Sequence, residues 1–340
     1  MKLKDIWWET VVVAFAVAFS VSAQAVENAA NKAPDSYEFK VLLENDKFAD
    51  QKRDAAINAF LERLEQNAKS QGAEVKWEKL EERKIAQREV RFLDTSGTLE
   101  QARIYGQGVV FRTRVQMAEP CDSAQADTCK AEKYKVTLKQ RFEPGTDGAL
   151  FDMTPNLEKA KAFPAQVAEH DPKFEEDYGW EPGEDRSGAR EIKVRKSSSS
   201  SVEIEDLQGR EQIRDYTTVG DVMAVFDQVP WDEEEVKADA VIPPTCLIES
   251  TKVDVGKLIW EFDSGEKVKC KASFTFWSNV KELDRSPLAS EFSYTCSDKK
   301  RVFAQAKNAV EKVFKQLIND EFVNDKPDTK TRIAYRCAPN

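Results

Sequence analysis

Short segments in which apolar and charged residues alternate recur along this chain, and they limit the folds that it can adopt. Residues two apart in a strand project from the same face of a sheet, so each segment predicts a strand with one apolar face and one charged face. The charged faces are mainly basic and comprise Glu38 and Lys40; Arg112 and Arg114; Lys135, Thr137 and Lys139; Glu191, Lys193 and Arg195; Lys267, Lys269, Lys271 and Ser273; and Glu291 and Ser293. The pattern predicts an antiparallel sheet with one face in the core and the other in water.

The sign of these faces is unexpected, because the chain carries a formal net charge of -10. An acidic protein with an ordinary solvated sheet should place carboxylates on the outer face, and lysines there would only guard strand edges. If the sheet instead closes into a barrel, the basic side chains converge on one wet lumen, where an anion relieves their repulsion. Both interpretations remain open here. The acidic composition argues against general binding of nucleic acid in either case.

The first 25 residues have the features of a secretory signal peptide. Lys2 and Lys4 precede the apolar run TVVVAFAVAFS, and residues 22–25 (SAQA) offer a small-x-small cleavage pattern. We expect cleavage near Ala25 and export of the mature protein to the periplasm or the medium, without stable insertion in a membrane. Residues 26–35 then form a polar leader.

The six cysteines of an exported chain are expected to form disulfides, because thiols are not kept reduced outside the cytosol. Cys121 and Cys129 bracket a polar stretch and predict a staple at the tip of a hairpin. The cysteine spacings fit no structural zinc site. The remaining four cysteines allow three pairings, among which the sequence does not choose: Cys246, Cys270, Cys296 and Cys337.

Two segments, 51–72 and 300–318, have apolar residues at helical spacing and predict amphipathic helices. Many strand-like segments with few helices are typical of an α+β fold built on an antiparallel sheet. We therefore predict one domain over 36–340, an antiparallel β-barrel with flanking helices.

Three stretches interrupt the strand pattern. Residues 143–188 are rich in Pro, Gly, Asp and Glu and predict a long surface insertion, which is also a candidate surface for a protein partner. Residues 197–201 (SSSSS) predict a flexible connector, and the acidic stretch 202–236 predicts a helical segment.

Residues 88–115 (REVRFLDTSGTLEQARIYGQGVVFRTRV) contain a strand that ends at Asp-Thr, a polar loop with leucine, and a glycine before an Arg-x-Arg strand. With five further motifs in matching order, this segment resembles the CYTH proteins, the triphosphate tunnel metalloenzymes. The further motifs are the opening strand YEFKVLL, the Thr-x-Lys strand YKVTLK, the Arg-Glu strand AREIKV, the late strand SEFSYTC and the closing lysine segment DTKTRIAY.

The resemblance implies a tunnel in which basic side chains hold triphosphate, polyphosphate or another small polyanion, while carboxylates hold Mg²⁺ or Mn²⁺. By motif, the carboxylates with both metal-binding and catalytic roles are Glu38, Glu191 and Glu291. The phosphate-binding residues implied in the same way are Lys40, Arg112, Arg114, Lys139, Lys193, Lys252 or a neighbour of it, and Lys330.

Two positions depart from the family pattern where carboxylates are expected. Ser36 replaces the first glutamate of the opening motif and Ser293 replaces the second of the late motif, and serine is a poor ligand for hard divalent cations. Since hydrolysis of a phosphoric anhydride here would depend on the metal, the loss affects catalysis more than anion binding. A shifted register in which Glu44 or Glu249 compensates is the alternative.

Three functions remain open from the sequence. The first is an exported, metal-dependent triphosphatase that acts on a triphosphate-containing substrate. The second is a tunnel that binds an anion without turnover, and the third is a scaffold whose insertion at 143–188 contacts another protein. Other catalytic classes are not favoured, since the chain shows no P-loop, dinucleotide fingerprint or persuasive Ser-His-Asp or Cys-His arrangement.

Overall fold

A computed structural model describes residues 33–49, 52–94, 108–117, 131–142, 153–156, 167–183, 189–205, 223–229, 248–279, 287–298, 301–326, 328 and 331–333. The main elements, in chain order, are β1 (Ser36–Leu43), α1 (Arg53–Ser70), β2 (Glu74–Trp77), β3 (Ile85–Leu93), β4 (Val109–Met117), β5 (Ala131–Phe142), β6 (Val167–Pro182), β7 (Arg190–Glu205), β8 (Ile248–Glu261), β9 (Lys267–Asn279), β10 (Ala289–Ser297) and α2 (Phe303–Leu317). Short 3-10 helices cover Asn45–Phe48 and Leu80–Glu82.

Nine strands form a closed barrel in the order β8-β3-β4-β5-β7-β6-β1-β10-β9, and the pairing of β9 with β8 completes the ring. The predicted barrel with flanking helices is therefore confirmed, but its wholly antiparallel character is wrong. β1 and β6 run parallel, with Ser36–Phe39 beside Glu175–Tyr178. The reason is topological: strand directions cannot alternate all the way around a ring with an odd number of members. The short β2 adds to the edge of β8 beyond β3.

The apolar core lies outside the barrel, between its wall and the two predicted helices, α1 and α2. Phe60 of α1 packs 4.7 Å, between ring centroids, from Phe292 of β10, and Phe314 of α2 meets Phe39 of β1 edge-on at 5.4 Å. All four rings are almost fully buried. Burial of a side chain of this size contributes about 1.5–3 kcal/mol. Because the apolar faces of these strands point outward to the helices, their polar faces point into the barrel.

Two predicted irregular segments are instead parts of the barrel wall. The serine run 197–201 lies within β7 and pairs with β5 on one edge and β6 on the other, so it is not a flexible connector. Residues 167–182 of the predicted insertion form β6. Backbone pairing on both edges orders the serine run even though its side chains provide no alternation. In the predicted acidic helix, 202–205 belong to β7 and 223–225 form a helical turn, while 206–222 and 230–236 lie outside the described residues.

One disulfide joins Cys270 of β9 to Cys296 of β10, residues that face each other directly in the sheet. A disulfide is compatible with export. Cys121, Cys129, Cys246 and Cys337 lie outside the described residues, as do the predicted signal peptide and most of the polar leader. Within the described ranges, no helix has the length and apolar character needed to cross a bilayer.

Gly256 allows β2 to approach β8, and its replacement by Ala should be strongly destabilising. Its φ is +132°, and an added Cβ would lie 2.1 Å from the carbonyl oxygen of Lys76 and 2.9 Å from Cα of Trp77. We expect Gly256→Ala to lower the free energy of unfolding by about 1–3 kcal/mol or more, because strain and a backbone clash combine. Gly265→Asn is the control for chemical denaturation: Gly265 occupies a turn with φ +79° and open space, where Asn is tolerated. Equal losses in the two variants would contradict the expectation.

Candidate functional site

The barrel encloses a cavity of about 410 Å³, hereafter the lumen, and each of the nine barrel strands contributes side chains to it. Eight lining residues are serines or threonines, and three are glutamates, Glu38, Glu175 and Glu291. The lining thus has a formal surplus of six positive charges in a protein whose net charge is -10. Its nine basic residues are Lys40, Arg88, Arg112, Arg114, Lys135, Lys139, Arg141, Lys173 and Lys252.

Three arginines on neighbouring strands form an arginine wall, defined as Arg88 of β3 with Arg112 and Arg114 of β4. Nε of Arg112 and Nε of Arg114 are buried and have no hydrogen-bond partner within the described part of the chain. The same part of the chain shows no ion pair within 4 Å for any of the three guanidinium groups. A buried donor without a partner costs about 1–3 kcal/mol, more for a charged group, so this wall carries unmet hydrogen-bonding capacity.

The pKa values of the arginine wall are all displaced downward, as expected for crowded cations. Burial and the charge of Arg141 lower the pKa of Arg112 to about 10, despite opposing effects of Glu38 and Glu291. The charge of Arg112, followed by burial, lowers the pKa of Arg114 well below its usual range. Burial lowers the pKa of Arg88. Arg112 remains ionised at neutral pH, so its repulsion from the neighbouring cations is an energetic cost to the folded protein.

A different arrangement brings together side chains of β1, β5 and β6, and we call it the Asp177 cluster. The carboxylate of Asp177, which is 4 % exposed, accepts from Nζ of Lys40 at 3.1 Å, and its Oδ2 lies 3.1 Å from Nζ of Lys139 and 3.7 Å from Nε of Arg141. Two glutamates complete the cluster: Glu38 lies 2.6 Å from Nζ of Lys40 and Glu175 lies 3.3 Å from Nζ of Lys139. Three cations are therefore balanced by three carboxylates.

The pKa of Asp177 reflects two opposing influences. Burial alone raises the pKa of this carboxyl, but the charges of Lys139, Lys40 and Arg141 outweigh burial and hold the pKa well below its usual range. Burial likewise lowers the pKa of Lys40, and the charges of Asp177 and Glu38 reverse that shift, so the net direction is upward. Asp177 and Lys40 are thus both ionised at neutral pH.

Within the described part of the chain, the three carboxylates predicted to bind a metal ion are not brought together. Glu38 and Glu291 line the lumen, but Glu38 is already bound by Lys40, and Glu191 is exposed and lines neither the lumen nor the smaller cavity beside it. Within the described ranges no three His, Cys, Asp or Glu side chains are grouped to hold a metal ion. Glu175 accepts from Oγ of Ser36, so it occupies the neighbourhood of the first missing carboxylate, but it is engaged by Lys139.

Most of the sequence-predicted basic residues meet in the lumen. Lys40, Arg112, Arg114, Lys139 and Lys252 line it. Lys193 does not, and its Nζ donates to Glu181 at 2.7 Å instead. Lys330 and the side chain of Glu249 lie outside the described residues, while Glu44 accepts from the backbone N–H of Asp325 and lines neither cavity. On β9 the lumen begins at Ser273, and the preceding residues Lys267, Lys269 and Lys271 are exposed.

The sequence analysis placed Lys135 on a charged strand face but not among the phosphate-binding residues. It missed three basic lining residues, Arg88, Arg141 and Lys173, and the carboxylate Asp177, which lines the adjoining smaller cavity. Alternation along β5 could have identified Arg141, which lies two residues beyond Lys139 and therefore faces the same side of the strand. Lys173 and Asp177 were missed because β6 contains Pro and Gly and resembles a loop in composition.

The lumen has no counterpart to guide its assignment: no family model, curated protein or solved structure matches this chain. The CYTH-like identity therefore stays a prediction.

Proposed function

We propose that the protein binds triphosphate, polyphosphate or a similar small polyanion inside its barrel. The observation that carries the proposal is the arginine wall, in which Nε of Arg112 and Nε of Arg114 are buried without a partner within the described residues, while the whole lumen has a surplus of six positive charges. Guanidinium groups match phosphate oxygens in a bidentate geometry, and an anion would supply the missing acceptors. The eight hydroxyl-bearing side chains offer further hydrogen bonds to such a ligand.

The arrangement of charges favours a small, multiply charged anion as the ligand over a long nucleic acid. The cations are enclosed by the barrel, whereas binding to a nucleic-acid backbone requires a basic outer surface, and the chain as a whole is acidic. The lumen volume of about 410 Å³ falls within the range of small-molecule sites. We further propose that the mature protein acts after export, with which the Cys270–Cys296 disulfide is compatible.

Hydrolysis of the bound anion is the more demanding form of the proposal. It would require Mg²⁺ or Mn²⁺, and Glu38, Glu175 and Glu291 line the lumen without being grouped, within the described residues, to hold a metal ion. We therefore place anion binding ahead of turnover. The protein-partner function of 143–188 is less favoured, because 167–182 of that segment is a barrel strand.

Binding is tested by adding inorganic triphosphate to the purified mature protein in the presence of EDTA and measuring thermal stability and heat of binding. We expect a rise in Tm that grows with ligand concentration, because a ligand bound only by the folded state stabilises it by mass action. Arg88→Gln should weaken binding by about tenfold or more, since one charge-assisted hydrogen-bonding group is worth about 1.5–3 kcal/mol. Lys269→Gln, on the exposed part of β9, is the matched control and should bind as wild type does.

A second arm separates binding from catalysis. Triphosphate is incubated with the protein and either Mg²⁺ or Mn²⁺, and released orthophosphate is measured. Release that fails in Glu291→Gln would establish the hydrolase, and stabilisation without release would establish the binding protein. Absence of both stabilisation and release would refute the proposal.

A further inference from the structure

The cations of the lumen differ in how they are neutralised. Lys40, Lys139 and Arg141 lie within ion-pair distance of the Asp177 carboxylate, whereas the arginine wall has no ion pair among the described residues. At one end of the lumen, carboxylates of the protein therefore neutralise the cations. At the other end, the positive charge of the arginine wall can attract an anion.

The two ends are continuous along β5. Lys135 faces Arg114 and Thr137 faces Arg112 across the β4–β5 pair, and Lys139 and Arg141 follow on the same face of β5. Two residues along a strand advance by about 7 Å, so the basic row continues past the arginine wall into the Asp177 cluster. Arg141 is close enough to Arg112 to lower its pKa. A longer anion that extended from the arginine wall along this row would contact Lys139 and Arg141 next.

Asp177 is placed to stop that extension. It comes from β6, its side chain is almost fully buried, and it contacts cations from β1 and β5 at once. Asp177 itself lines a smaller cavity of about 90 Å³, which shares Lys40, Arg141 and Glu291 with the lumen. Asp177 thus binds the cations at the junction of the two cavities and places a negative charge at the end of the basic row.

We infer that Asp177 is a built-in counter-anion that confines the bound polyanion to the arginine wall and so limits the chain length that the lumen accepts. This inference rests on the proposed function. Asp177 is a specificity-determining residue in this role, because it occupies with its own carboxylate the cations that a longer ligand would otherwise bind.

The test compares orthophosphate, pyrophosphate, triphosphate and a longer linear polyphosphate by calorimetry, at fixed ionic strength and in EDTA. In wild type we expect affinity to rise up to a short chain and then to level off within about threefold. In Asp177→Asn we expect the longer polyphosphate to bind about tenfold tighter or more than in wild type, since one competing charge is removed from three cations. The ligand-free variant should also have a lower Tm than wild type, and the long ligand should restore it.

Glu175→Gln keeps the test usable if Asp177→Asn fails to fold. Glu175 lies on β6, the strand that carries Asp177, and forms an ion pair with Lys139. Its replacement should tighten binding of the longer polyphosphate by about threefold. Glu181→Gln is the matched control, because Glu181 also lies on β6 and forms an ion pair, with Lys193, but lines neither cavity. It should leave every affinity unchanged.

The outcomes separate the inference from the proposed function. If wild type binds the anions but the affinity for the longer polyphosphate is unchanged or lower in both Asp177→Asn and Glu175→Gln, the inference is overturned. The proposed anion binding then still stands. Binding that appears in Asp177→Asn but not in wild type overturns both, because wild type would then hold no polyanion for Asp177 to confine. Absence of binding in all variants overturns both.

Discussion

The double variant Arg112→Gln/Arg114→Gln is expected to lose triphosphate binding while its ligand-free barrel becomes more stable than wild type. Each guanidinium group that donates to phosphate contributes about 1.5–3 kcal/mol, so the loss of two should weaken binding by about two to four orders of magnitude. Loss of function with a gain in stability is the trade-off expected where a binding site is held in an unfavourable, strained state, and an ordinary structural role of these arginines would instead lower stability.

The gain in stability follows from the sign of the pKa shifts. Burial and Arg141 lower the pKa of Arg112 to about 10, and the charge of Arg112 followed by burial lowers that of Arg114. A base whose pKa is lower in the folded state is less favourably charged there than in the unfolded chain. The penalty is fully present below the folded pKa and disappears only as the pH rises towards the unfolded value. At neutral pH its removal from Arg112 is worth about 1–3 kcal/mol.

The measurement is urea denaturation with and without triphosphate, at pH 7. Lys269→Gln/Lys271→Gln removes two positive charges from the exposed part of β9 and controls for net charge. A double variant that is less stable than wild type without ligand, or that still responds to triphosphate, would contradict the expectation. Retained binding would show that other cations carry the site.

The polar interior was predictable from the sequence because its signal is local. Alternation in β1, β4 and β5 placed Lys40, Arg112, Arg114 and Lys139 on one face, and the sign of that face pointed to a lumen. In β7 and β9 the same alternation also selects Lys193, Lys267 and Lys269, which do not line the lumen. Strands of 16 and 13 residues are longer than the stretch that lines the cavity, and alternation does not indicate where the lumen ends.

What the sequence could not provide was the pairing between distant strands. Asp177 contacts Lys40 only because β6 lies parallel to β1, and this neighbour relation spans 137 residues. The serines of β7 and the Pro and Gly residues of β6 lack the apolar alternation that identifies a strand. Their place in the wall is fixed by backbone hydrogen bonds to neighbours, which have no local signature.

Phe39→Ala should have the opposite effect to the arginine variant: a large loss of stability with anion affinity preserved in the molecules that remain folded. Phe39 lies on β1 between Glu38 and Lys40, but its ring points outward and is fully buried. It stacks on Tyr178 at 4.2 Å and Tyr294 at 4.9 Å between ring centroids. Truncation of a buried Phe to Ala typically costs about 3–5 kcal/mol, because transfer and cavity terms add.

Urea denaturation measures this cost, and calorimetry with triphosphate at low temperature, where the variant is still folded, measures affinity. Phe39→Leu is the matched control and should lose about 1 kcal/mol, since it keeps most of the apolar volume. A cost below about 1 kcal/mol for Phe39→Ala would show that the aromatic layer between wall and helices does not stabilise the barrel. Affinity that falls together with stability would show that the outer layer also positions Lys40. If Phe39→Ala loses stability but keeps binding, and the arginine double variant loses binding but gains stability, the outer face of the barrel stabilises the fold and the inner face recognises the ligand.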